Sequence, residues 1–349
     1  MNRPRRALLL AWVLALGVAG LWGMAGHAAS PEPRREPWPP PPVERGAWVV
    51  QPPEGYEPNP DEPPVWLPPA YPNPWAPSSH DHFLFGRIYP PGIEDIPLPS
   101  YRFAARNDRG GIHGGIDIPA PEGTPVLAIG SGRVVWTGEG LLAGHPRAGD
   151  PYGLAVAIRH DLGWQGWTLY TIYAHMSAIW VKSGQWVAQG TPIGAVGETG
   201  HADGPHVHLE IRYSDQGPRP PAGLPFLNPE LWIAPPMGWG VLVGQVLNDR
   251  DLPIDYHPLT LEPLDWSRDI YPLWQWRHKL ETHTYARKPG ITPDPYYQEN
   301  FAINNLPAGR YKITMTWNEK TYEAVLRVWP GRVTFFKFTP QDGFVVQEP

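Results

Sequence analysis

The chain of 349 residues contains no cysteine. That absence excludes disulfides, a thiolate-bound metal and a lipid-modified cysteine anchor, so an exported form must draw its stability from its cores and its loop prolines. Basic charge is also sparse. Lys and Arg total 28 against 34 Asp and Glu, the net charge is −6, and the region carrying the candidate site has no block of Lys or Arg. Nucleic acid is therefore not an expected partner. Convincing helices are missing from Phe103 to Arg212, and the chain has no His-Glu-x-x-His helix of the kind that binds zinc.

Proline, by contrast, is abundant, and 18 of the 48 lie between Pro31 and Pro77. Such a stretch disfavours helix and central strand and favours extended polyproline conformations. It reads as a linker over 31–80, reaching at most about 150 Å at about 3.1 Å per residue. Ahead of it, Arg3, Arg5 and Arg6 precede the uncharged run Ala7 to Ala25 and the small residues Gly26, Ala28 and Ala29. This is the pattern of an export segment over 1–30, either a cleaved signal peptide or an uncleaved anchor. The remainder is expected outside the cytoplasm, at the cell envelope or secreted, with membrane contact only through that anchor.

Four histidines and an aspartate carry the chemistry: His113-Gly-Gly-Ile-Asp117, Tyr-Ala-His175 and His206-Val-His208. In Gly204-Pro-His206-Val-His208-Leu-Glu210-Ile-Arg212 the polar and apolar residues alternate, the period of a half-buried strand, so both histidines project from one face. The His113 to Asp117 spacing returns to one face of an extended segment, and Gly115 between them has no side chain to crowd a metal. A catalytic zinc keeps three side-chain ligands and leaves one position for water. The set supplies those ligands and leaves two imidazoles for proton and charge work.

At these residues the chain resembles the M23 family of zinc metallopeptidases, the lysostaphin-like or LytM-type peptidoglycan endopeptidases. The resemblance runs from about Phe103 to Tyr213. It includes His113-Gly-Gly-Ile-Asp117-Ile-Pro-Ala-Pro-Glu-Gly-Thr-Pro-Val126, Gly130-Ser-Gly-Arg-Val134, Tyr173-Ala-His175-Met-Ser177, Gly190-Thr-Pro-Ile-Gly194 and Gly204-Pro-His206-Val-His208-Leu-Glu210. It implies a zinc ion held by His113, Asp117 and His208, with His175 and His206 as catalytic histidines, and peptidoglycan as substrate. Two other readings share these residues: a non-hydrolytic scaffold that activates wall enzymes, and an endopeptidase that cuts proteins outside the cell. Members of the scaffold kind typically lose ligands or catalytic histidines, and all five positions are present here.

The fold class expected is all-β. An antiparallel M23 domain over 81–233 uses strands at Val126 to Ile129, Arg133 to Trp136, Leu154 to Arg159, Leu169 to Tyr173 and His206 to Arg212. A β-sandwich over 237–349 follows, with strands near Gly240 to Val246, Phe301 to Trp317, Tyr322 to Trp329 and Arg332 to Phe338. Its Leu-Pro-Ala-Gly-Arg-Tyr turn resembles carboxypeptidase-regulatory-like or transthyretin-like domains. Every candidate site residue precedes Tyr213, which predicts a sandwich dispensable for the chemical step.

The remaining histidines read as bystanders: His160 as structural, His145 and His201 as solvated, His80 and His82 as lacking the flanking pattern of the His206 strand. Trp164 and Trp167 fit either a substrate channel or loop packing. Trp266, Tyr271, Trp274 and Trp276 fit either sugar stacking or packing between domains.

Overall fold

The computed structural model describes residues 70–97, 101–106, 111–265 and 279–347. The export segment, the linker up to residue 69 and the 266–276 aromatic stretch lie outside the described residues. Among the described residues there is no α-helix, and the fold is all-β. The first strands are β1 (Ile116–Pro119), β2 (Pro125–Leu127), β3 (Gly132–Gly138), β4 (Leu154–Trp164), β5 (Trp167–Met176), β6 (Ala178–Ile179), β7 (Trp186–Val187) and β8 (Pro192–Ala195). β9 (His206–Ser214), β10 (Phe226–Leu227) and a 3₁₀ turn at Pro229–Leu231 lead into the C-terminal half. There follow β11 (Trp239–Val246), β12 (Pro258–Pro263), β13 (Leu280–His283), β14 (Ile291–Thr292), β15 (Phe301–Pro307), β16 (Gly309–Trp317), β17 (Lys320–Val328), β18 (Val333–Thr339) and β19 (Gly343–Gln347).

The principal sheet runs β14-β10-β9-β5-β4-β3-β7, with β1 also paired to β9. Its central hairpin, β4 to β5, closes on Gln165 and Gly166, both at positive φ (47° and 85°). That two-residue turn matches the right-handed twist of the strands it joins. Register then decides which residues share a face, because directly opposed residues in an antiparallel pair lie on the same side. Ala174 faces His208, Ile172 faces Glu210, and on the other flank Asp117 faces His208. Thus Asp117, His208 and Glu210 share a face with Ala155, Ala157, Ile172 and Ala174, a small apolar patch that Leu141 covers. Leu169 and Tyr173 point to the opposite side, into the main core.

The C-terminal half forms two four-stranded sheets, β15-β11-β18-β19 and β13-β12-β16-β17. In β16 the buried and partly exposed residues alternate, as expected for a strand with one covered face. β11 is different. Leu242 and Val246 enter the sandwich core, whereas Val241 and Val243 enter the main core beside Phe85, Tyr89 and Trp232. The near-continuous apolar run Gly240-Val-Leu-Val is therefore a strand buried on both faces, a wall shared by two cores.

Other contacts stitch the halves together. β14 pairs in parallel with β10, extending the principal sheet with residues from the C-terminal half. Tyr71, at the end of the proline-rich stretch, is buried in the main core, and Ala70 bridges to Pro236. A cut at residue 233 would remove β14 from the edge of the principal sheet and uncover the part of the main core that Val241 and Val243 of β11 cover.

Candidate active site

Asp117 and His208 sit opposite each other on β1 and β9, and His113 precedes β1 in a segment with no regular pairing. Two glycines let it approach. A Cβ on Gly115 would lie 2.2 Å from the Leu209 carbonyl oxygen, and one on Gly114 would lie 2.5 Å from the Phe226 ring. The three side chains converge: His113 Nε2 is 2.9 Å from Asp117 Oδ1 and 2.9 Å from His208 Nδ1, and His208 Nδ1 is 2.8 Å from Asp117 Oδ1. Among the described residues this is the one His and carboxylate group whose atoms gather closely enough to hold a metal ion.

The second nitrogen of each ring tests whether a cation fits. His113 Nδ1 donates to the Arg102 carbonyl at 3.1 Å, which leaves Nε2 with its lone pair. His208 Nε2 donates to Glu210 Oε1 at 3.0 Å, which leaves Nδ1 with its lone pair. Neutral tautomers fixed this way aim two nitrogen lone pairs and an anionic oxygen at one point, the donor set and second sphere of a zinc site. Without a cation, a proton has to take that place. Burial opposes protonation of His208, but Asp117 and Glu210 outweigh it and raise the ring to about 9. Burial likewise opposes ionisation of Asp117, and the hydrogen bonds from His113 and His208 still hold its carboxyl far below the ordinary range.

Glu210 is itself held. Its Oε1 accepts from the Tyr152 hydroxyl at 2.5 Å and its Oε2 from Arg212 Nε at 2.7 Å, while Arg212 Nη2 donates to the Tyr152 oxygen at 2.8 Å. Glu210 and Arg212 are both within 1% of full burial. Burial works against the Glu210 charge, and Arg212 and His208 bring the carboxyl down to about 2. The alternation of polar residues along β9 marks Glu210 and Arg212 in the sequence as sharing the His208 face, but it gives them no partner. Tyr152 leaves no sequence signal.

His175 and His206 lie beside this trio, with ring centroids 4.8 Å apart and His175 5.9 Å from His208. Each donates Nδ1 to a carbonyl, His175 to Thr199 and His206 to Gly204, both at 2.8 Å, so each presents Nε2. His206 Nε2 is 3.6 Å from Asp117 Oδ2. Burial, with the neighbouring His208, lowers His175 to about 4, which keeps it neutral near pH 7. His175 also occupies positive φ (64°), uncommon for a residue with a side chain, and its N–H donates to the Tyr152 carbonyl at 2.9 Å.

The other candidates fall elsewhere. His160 is buried between the Ser131 carbonyl and the Thr171 hydroxyl. His145 and His201 are exposed, and His82 is buried at the junction with the C-terminal half. Trp164 and Trp167 close the hairpin at the end of β5 remote from His175, packed against Trp232 and Tyr213. They are packing residues.

Residues 111–220 match peptidase family M23, and the chain carries a domain of that family. It is 42% identical over 120 residues to the DD-carboxypeptidase/endopeptidase Mpg of Neisseria meningitidis, covering 34% of this chain and 24% of that protein. It is 43% identical over 99 residues to the peptidoglycan DD-endopeptidase ShyA of Vibrio cholerae, covering 28% of this chain and 20% of that protein. The match thus spans about a quarter or less of these relatives. Among solved structures, the catalytic domain of lysostaphin from Staphylococcus simulans is 28% identical, covering 36% of this chain and 89% of that one, with a TM-score of 0.29.

Proposed function

We propose that the chain is an exported zinc metalloendopeptidase that hydrolyses peptide bonds in the stem peptides or cross-bridges of peptidoglycan. The observation that carries this reading is the convergence of three ligand lone pairs beside two imidazoles that present Nε2. His113, Asp117 and His208 would hold the zinc. Bound there, zinc supplies a Lewis acid for the scissile carbonyl and brings the pKa of water to about 7. His175, neutral through burial, offers an acceptor for a proton. Together with His206 it can take the proton of the attacking water and deliver one to the leaving amine. We assign one edge of the substrate groove to the loop Gly140 to Asp150, whose Leu141 packs with Ala155, Ala157, Ile172 and Ala174.

Peptidoglycan as substrate is supported by the names of the relatives, and export by the basic and then apolar N-terminus. The catalytic part is assigned to 81–233 and the sandwich to 237–349. The test is digestion of purified sacculi and defined muropeptides by zinc-loaded protein, with products read by mass spectrometry. One peptide bond in a stem or cross-bridge should open, and His175→Ala should slow the cut by about 10² to 10⁴. Intact muropeptides alongside cleavage of an unfolded protein would overturn the substrate assignment.

A further inference from the structure

His113 differs from the other two proposed ligands in how it is held. Asp117 and His208 sit inside paired strands, whereas His113 hangs on residues 101–106. Three bonds make that attachment: Ala104 N–H to the His113 carbonyl at 2.8 Å, His113 N–H to the Ala105 carbonyl at 2.9 Å, and His113 Nδ1 to the Arg102 carbonyl at 3.1 Å. The far side of 101–106 is gripped by the C-terminal half. The Arg102 guanidinium pairs with buried Glu230, whose Oε2 also accepts from the Asn304 N–H at 2.7 Å. The Asn304 side-chain amide donates to the carbonyls of Glu230 and Ile233 at 2.9 and 2.8 Å. Phe103 meets the Tyr285 ring edge-on at 5.5 Å, and the Arg106 guanidinium lies 4.7 Å over the Tyr256 ring. Opposite, Gly114 rests on Phe226, whose N–H donates to the Gly290 carbonyl at 2.7 Å.

We infer that the C-terminal sandwich is a buttress of the metal site, with Asn304, through Glu230 and Arg102, and Tyr256, through Arg106, acting as positioning residues that hold the His113 arm. The inference rests on the zinc reading above. It gives the sandwich a task within the catalytic unit that requires no ligand of its own. Residues that orient a metal ligand from outside the coordination sphere alter metal affinity by about 10- to 100-fold when removed. A ring beneath a cation acts through its face, so phenylalanine keeps most of what Tyr256 provides.

The test measures zinc affinity by chelator competition, together with thermal unfolding of the zinc-free protein. The proteins compared are full-length wild type, Asn304→Ala, Tyr256→Ala, Tyr256→Phe and Leu326→Ala. Leu326 is a core residue of the outer sheet of the sandwich, remote in the chain from these contacts. Asn304→Ala should weaken zinc about tenfold, Tyr256→Ala about three- to fivefold, the worth of one exposed cation–π contact, and Tyr256→Phe should restore wild-type affinity. Leu326→Ala should lower the melting temperature and leave zinc affinity within about twofold, well below the change expected for an orienting residue. Unchanged affinity in both alanine variants, or an equal loss in Leu326→Ala, would overturn the buttress while leaving the zinc site standing. A wild-type protein that bound no zinc would overturn both.

Discussion

Two clusters among the described residues bring buried histidine and carboxylate together, and they differ in where the second ring nitrogen points. At the junction of the two halves, His82 Nδ1 lies 3.0 Å from the Leu231 carbonyl oxygen and Nε2 2.6 Å from Asp294 Oδ2. Its ring stacks on Trp232 at 4.0 Å, and Asp294 Oδ1 accepts from the N–H groups of Tyr296 and Tyr297. Both nitrogens face protein oxygens, and neither is turned toward a shared open point. At the His113, Asp117 and His208 cluster each ring spends one nitrogen on a protein acceptor and keeps the other lone pair aimed at a shared point. Burial and proximity are common to both. What distinguishes a site from a structural contact here is the unspent lone pair.

The sharpest way to break that contrast is to remove a ligand. His113→Ala, Asp117→Ala and His208→Ala each leave two of three protein ligands and should lose zinc and activity together. Metal analysis of purified protein beside a muropeptide assay checks this. Zinc retained at one per chain in His208→Ala would show that the converging lone pairs are not what holds it.

A smaller effect separates the neighbouring rings from the ligands. His175→Ala and His206→Ala should keep close to one zinc per chain while hydrolysis falls by about 10² to 10⁴, the usual range for losing a general acid or base. Loss of zinc in His206→Ala would exchange its role with that of His208. The two stand two residues apart on one strand face and differ in which nitrogen each presents.

That difference in tautomer explains how far the sequence could be read. Alternation along His206 to Arg212 places both histidines on one face, and in the fold His113, Asp117 and His208 lie within 2.9 Å of one another with the His175 and His206 rings beside them. Three of the four partners that set the lone pairs, the carbonyls of Arg102, Thr199 and Gly204, are backbone atoms, and any residue type provides one, whereas the fourth is the Glu210 side chain. Tyr152 is invisible for another reason: it reaches Glu210 across 58 positions of chain, a distance that local pattern does not encode. In the C-terminal half, the alternation of Tyr311 to Trp317 reads correctly as a strand with one buried face. The run Gly240 to Val246 shows its strand but not its second buried face, because the opposing core is built by Tyr71, Phe85 and other residues far away in sequence. The short β14 carries no pattern at all, and with it the join between the two halves stays hidden.

The junction cluster yields the complementary prediction. His82→Ala removes the donor to a buried carboxylate and a ring stacked on Trp232, so it should cost about 3 to 5 kcal/mol of stability, the range for breaking a buried pair. Zinc content and rate per folded molecule should stay at wild-type values. Denaturant melts and metal analysis on the same preparation test both halves of the statement, and zinc loss without destabilisation would erase the distinction drawn between the two clusters.

The smallest effect belongs to a third buried histidine. His160 donates Nδ1 to the Ser131 carbonyl and meets the Thr171 hydroxyl, and its burial lowers it to about 4. An unfolded chain takes up that proton near the ordinary value of about 6.5, so between about 6.5 and 4 the unfolded state binds more protons than the folded one. The contribution is therefore fully present above about 6.5 and is lost as pH falls toward 4, at about 1.4 kcal/mol per pH unit. His160→Asn keeps a donor for the Ser131 carbonyl and removes the titration. Unfolding free energies of the zinc-free wild type and variant, measured from pH 7.5 to 4.5, should diverge only below about 6.5, with the wild type the steeper by about one proton. Parallel curves would mean that burial does not keep His160 neutral in the folded protein.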